Sequence, residues 1–127
     1  ARAVAHGVDG IVVSNHGGRQ LDGAPSTISV LPRMVDAVAG RIPVFVDSGF
    51  RRGSDVVKAL ALGATAIFAG RPAIWGMATA GEAGARTVLA QLADEIVRTM
   101  VLIGADGVAD IAPHHLLHPS ASEGRQV

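Results

Sequence analysis

Cysteine is absent from this chain, which excludes disulfides and thiolate chemistry. An excess of charge is missing too, because eleven basic residues balance eleven acidic ones over 127 positions. That balance gives no electrostatic reason to expect nucleic acid or an anionic membrane as a partner, although local arginine clusters can still hold a small anion. No apolar run approaches the length of a membrane span and no signal-like N-terminus is present, so the expected location is cytoplasmic. A starting Met is also lacking. Ala1 to Gly7 reads as the last turns of a helix with Gly7 as its stop, so the chain is expected to be a piece of a longer polypeptide.

The residues present are rich in core. Hydrophobic residues make up 49% and charged residues 17%, over a length suited to one domain. The unbroken apolar run Ile11-Val12-Val13 follows Gly10 and reads as a strand buried on both faces. A string of turn formers, Asp22 to Ser26, leads to a helix from about Thr27 to Ala39. Ile28, Leu31, Val35 and Val38 share its face, Gly40 closes it, and Pro32 suggests that the regular part starts there. Pro43 to Val46 is the second strand. A helix follows from about Ser54, its plausible N-cap, to Leu62, and Gly63 stops it. Thr65 to Ala69 is the third strand, and Pro72 suits the first position of the next helix. From Ala83 to Ile103 a long amphipathic helix carries Val88, Leu92, Ile96 and Met100 at four-residue spacing.

Strand, glycine turn and helix thus alternate three times, which implies parallel strands with right-handed crossovers, in a barrel or an open doubly wound sheet. The loops with unusual residues all follow strands and therefore gather on one edge. The first holds Ser14, His16 and Arg19. His16 is a titratable base, and Arg19 is a forked cation able to grip a carboxylate, so the pair suits a small acid. The second holds Asp47, Ser48, Gly49, Phe50, Arg51 and Arg52, and the third holds Gly70 and Arg71. Each of these two brings amides and arginine to a helix start, an arrangement that favours a phosphate. The bland alternative is that Arg51, Arg52 and Arg71 cap loops or pair with surface carboxylates.

The stretch Ser14 to Asp22, the run Pro43 to Arg52, Ala59 to Ala64 and Gly70-Arg71-Pro72 together resemble the C-terminal part of the FMN-dependent 2-hydroxy-acid oxidase and dehydrogenase family. That family includes glycolate oxidase, lactate oxidase and mandelate dehydrogenase. The resemblance implies an α/β fold, a (β/α)8 TIM barrel of which residues 1–119 supply about strands six to eight and the C-terminal helices, with 120–127 as a flexible tail. It implies FMN as cofactor, His16 as catalytic base and Arg19 as the group that binds the substrate carboxylate. Ser14 would contact the flavin, Asp47, Ser48, Gly49, Phe50 and Arg51 would line its ribityl and phosphate region, and Gly70 and Arg71 would complete the phosphate site. Ser48 stands where the family usually has a second glycine, which adds a Cβ where backbone approaches FMN. The implied reaction oxidises a small 2-hydroxy acid to the 2-oxo acid and passes electrons to oxygen, a quinone or a cytochrome.

Two other readings compete. One is another phosphate-binding barrel, such as a type 2 isopentenyl diphosphate isomerase relative, against which the His16-Gly17-Gly18-Arg19 loop argues. The other is a non-catalytic fragment or scaffold domain, because three strands cannot close a barrel and should associate with a missing N-terminal portion or with further copies. Elsewhere the residues favour bland roles. His114, His115 and His118 lie between prolines without a carboxylate and read as a surface segment, not a metal site. Trp75 and Met77 read as core or interface packing, His6 as a helix-end residue, Lys58 as solvated and Asp22 as a turn former.

Overall fold

The computed structural model describes residues 2–117, so the expected tail at 120–127 and His118 lie outside the described residues. Three short strands, β1 (Ile11–Val13), β2 (Val44–Val46) and β3 (Ala66–Ile67), form a parallel sheet in that spatial order. Ile11 sits opposite Val44, while β3 is shifted by one residue so that Ala66 faces Phe45. The crossovers are α2 (Thr27–Val38) and α3 (Gly53–Ala61); α1 (Arg2–Ala5) precedes β1 and α4 (Arg71–Ile103) follows β3. Parallel strands of this order put all three C-terminal ends on one edge. That edge carries the site.

The helix boundaries follow the sequence reading in part and depart from it at the starts of α2 and α3. α2 begins at Thr27, a turn and a half before Pro32. Thr27 is buried, and its hydroxyl donates to the carbonyls of Asp47 and Ser48 at 2.6 and 3.2 Å, which anchors the first turn upstream of the proline. α3 takes Arg52 as its N-cap, not Ser54, because the Asp55 carboxylate accepts from the amides of Arg51 and Arg52 at 3.1 and 3.0 Å. The helix expected from Ala83 follows a break at Ala80 (φ −149°) and Gly81 (φ 56°) that separates it, within α4, from the helix that Pro72 opens.

α2 and α3 cover one face of the sheet. The core there contains Leu31, Val46 and Ala59, all without solvent exposure, together with Val13, Val38, Val44 and Phe50. Burying Leu31 contributes about 2–3 kcal/mol. A second cluster joins Val57 and Ala61 of α3 to Ala105 and Ile111, with Ile96 and Met100 of α4 packed against it. The other face of the sheet is bare: Val12 is 51% exposed and Phe68 53%, and the Phe45 and Phe68 rings meet at a tilt with centroids 5.7 Å apart.

Candidate functional site

The ends of β1, β2 and β3 open into a cleft of about 400 Å³ lined by His16, Gly17, Asp47 to Arg51, Phe68 to Arg71, and Ile74. Most of the residues singled out from the sequence therefore share one surface: His16, Asp47, Ser48, Gly49, Phe50, Arg51, Gly70 and Arg71. Ser14 and Arg19 do not line it; Arg19 is exposed just past the histidine turn.

His16 to Gly18 form a single 3-10 turn in which all three residues have positive φ, at 55°, 70° and 74°. Side chains help to hold so unusual a backbone in place, alongside the turn's own bond from the Gly18 amide to the Asn15 carbonyl at 3.0 Å. The His16 amide donates to Ser14 Oγ at 3.1 Å, the Gly17 amide to Ser48 Oγ at 2.9 Å and the Gly18 amide to Asn15 Oδ1 at 3.2 Å. These amides are spent on the loop itself. Ser14, expected at the flavin, is thus engaged first with the histidine's backbone.

The second loop divides in two. Ser48 and Gly49 have φ of 72° and 94°, and a Cβ at Gly49 would meet nothing within 4 Å, so backbone here lies open to the cleft. The Ser48 hydroxyl donates to Asp47 Oδ1 at 2.7 Å. Further on, the start of α3 is closed by the chain's own carboxylates. Asp55 takes the amides of Arg51 and Arg52, and Glu95 of α4 takes the Gly53 amide at 2.7 Å and the Arg52 guanidinium at 2.9 Å. The Gly53 amide lowers the Glu95 pKa below its ordinary 4.5, burial opposes that, and the Arg52 hydrogen bond and the charges of Arg52 and Arg98 add to the lowering. Arg52 therefore follows the bland reading of a surface ion pair.

The third loop is the reverse. Gly70 caps α4 with no side chain bonding the first turn, and a Cβ there would meet nothing within 4 Å. Among the described residues, the amides of Gly49, Ala69 and Gly70 have no hydrogen-bond partner. Arg71 lies against the histidine turn, its terminal nitrogen 2.6 Å from where a Cβ on Gly17 would stand. Arg51 donates to the Phe50 carbonyl at 2.9 Å, with its guanidinium 4.9 Å from the centre of the Trp75 ring. Neither Arg51 nor Arg71 forms an ion pair among the described residues.

Phe68, Ala69 and Ile74 line the cleft and were not foreseen, nor was the role of Glu95. Glu95 lies 42 residues from Gly53, and no local motif marks it. Trp75, expected in the core or an interface, is 53% exposed and serves as a platform for Arg51. His114 and His115 stack on each other, and the His115 ring bonds Ala112 locally; no described group of His, Asp or Glu has metal-binding geometry.

Residues 1–118 match the model of a family described as FMN-dependent dehydrogenase. The chain belongs to that family. It is 59% identical to mouse 2-hydroxyacid oxidase 1 over 84% of its own length, and 55% identical to rice glycolate oxidase 5 over 91%. Among solved structures it is similar to the monotopic membrane protein (S)-mandelate dehydrogenase, with a TM-score of 0.87 and 48% identity over 91% of the chain. The chain spans 29–31% of the length of these three proteins. No described helix of this chain is long and apolar enough to cross a membrane.

Proposed function

We propose that this chain is the C-terminal portion, strands six to eight, of a (β/α)8 barrel that binds FMN and oxidises a small 2-hydroxy acid to the 2-oxo acid. The observation that carries the proposal is the shared cleft: a histidine, unpartnered backbone amides and two cations without ion pairs, gathered on the edge where barrel enzymes build their sites. The bare sheet face, with Val12, Phe45 and Phe68, is what a barrel interior would bury once further strands close it.

The cleft suits a phosphorylated cofactor. Gly49 and Gly70 leave room for a ligand against the backbone, and the amides of Gly49, Ala69 and Gly70 are free to donate. Arg71, with Gly70 at an uncapped helix start, would hold the phosphate, and Arg51 would flank it from its place over Trp75. Ser14, Asp47, Ser48 and Phe50 would line the remainder of the cofactor site. Bound FMN would supply the acceptor for the two electrons that leave the substrate's C2. Arg19 would bind the substrate carboxylate, and His16 would take the proton released as the hydroxy acid is oxidised. The first electron acceptor downstream would be oxygen, a quinone or a cytochrome.

The isolated 127 residues should bind FMN weakly, since the rest of the barrel is needed to enclose it, and should associate with that portion or with further copies. In the full-length protein, titration with FMN should perturb the flavin bands, and Arg71→Ala should weaken that binding. Equal affinity in the two proteins would contradict the phosphate assignment.

A further inference from the structure

We propose that Ser48 is a positioning residue for His16, tying the histidine turn to the second loop through its hydroxyl. The inference rests on the reading of His16 as the base. Among the described residues three that are not glycine have positive φ: His16 at 55°, Ala39 at 52° and Ser48 at 72°. Ala39 ends α2, where a left-handed residue is ordinary. The other two have no such excuse, and they are linked to each other, because the Gly17 amide that follows His16 donates to Ser48 Oγ at 2.9 Å.

Glycine would adopt the Ser48 backbone without strain. What glycine lacks is the hydroxyl. That hydroxyl gives its own proton to Asp47 Oδ1 at 2.7 Å, which leaves its lone pairs for the Gly17 amide and, through the charged partner, strengthens them as acceptors. Beneath it, the buried Thr27 hydroxyl donates to the carbonyls of Asp47 and Ser48 and holds the turn from the α2 side. A polar chain thus runs from α2, through the second loop, to the backbone next to His16. The sheet cannot do this job, because β1 ends at Val13.

The test compares Ser48→Gly and Ser48→Ala in the full-length FMN-loaded protein. Glycine removes hydroxyl and strain together, while alanine removes the hydroxyl and keeps the Cβ. Both variants should retain FMN, and Ser48→Gly should be at least as stable as the parent. In both, hydrogen exchange at the Gly17 amide should accelerate, and kcat should fall roughly tenfold, the size of one lost hydrogen bond to a polarised group, with KM nearly unchanged. Unchanged exchange at Gly17, or faster exchange with kcat intact, would overturn the inference. His16→Ala serves as the control for the underlying reading: if it kept its turnover, the assignment of the base would fall, while the Gly17 exchange would still report on the bridge.

Discussion

The starts of α3 and α4 look alike in sequence, each a glycine and arginine at the end of a strand loop, yet the fold treats them oppositely. At α3 the amides of Arg51, Arg52 and Gly53 are taken by Asp55 and Glu95, and Arg52 is paired. At α4 no side chain bonds the first turn, and Arg71 has no carboxylate partner among the described residues. A helix start with its own carboxylates is already neutralised and has little left for an anion. Such an end joins helices; an open one can bind phosphate.

The largest effect that separates the two ends is expected at Gly53. A Cβ there would collide with the backbone of Glu95 and Ile96, so Gly53→Ala should cost about 3 kcal/mol of stability, read from the denaturation midpoint. Gly70→Ala, with open space around it, should leave that midpoint nearly unchanged. Next in size, Arg71→Ala should weaken FMN binding roughly tenfold to hundredfold, as loss of a charge-assisted contact does, without lowering the stability of the cofactor-free protein. Gly17→Ala should weaken FMN binding by about three- to tenfold, since its Cβ would push on the Arg71 guanidinium from a backbone with φ of 70°.

Glu95 offers a smaller effect with a defined pH signature. Its folded pKa is lowered, so its contribution to stability is present above the unfolded value of 4.5 and is lost as pH falls through the lower folded value. Glu95→Gln should therefore lower stability at neutral pH and flatten the acid limb of the stability curve, while FMN affinity stays the same. The smallest effect belongs to Arg52→Ala: its side chain is largely exposed, and FMN affinity should not change. A loss of affinity in Arg52→Ala equal to that in Arg71→Ala would abolish the distinction between the two helix ends.

Much of this was legible in the residues. Apolar runs between glycines located the strands, and two of those runs pair with Ile11 opposite Val44. Strand, turn and helix in alternation brought His16, Asp47 and Arg71 to one edge before any coordinates did. What the sequence concealed was long-range pairing. Nothing near Gly53 announces that Glu95 caps it, so Arg52 looked like a ligand cation although it is an ion-pair partner. Thr27 looked like an ordinary helix start, but its buried hydroxyl sets where α2 begins despite Pro32. Ser48 looked like an intrusion at a glycine position, and only its contacts with Gly17 and Asp47 give it a purpose.

The most direct test of the central claim is the visible spectrum of the full-length FMN-loaded protein during anaerobic addition of glycolate, lactate or mandelate, compared between the parent and His16→Ala. The account predicts that one of these acids bleaches the flavin in the parent, and that His16→Ala keeps its flavin but fails to bleach. Bleaching at the parental rate in His16→Ala would contradict it.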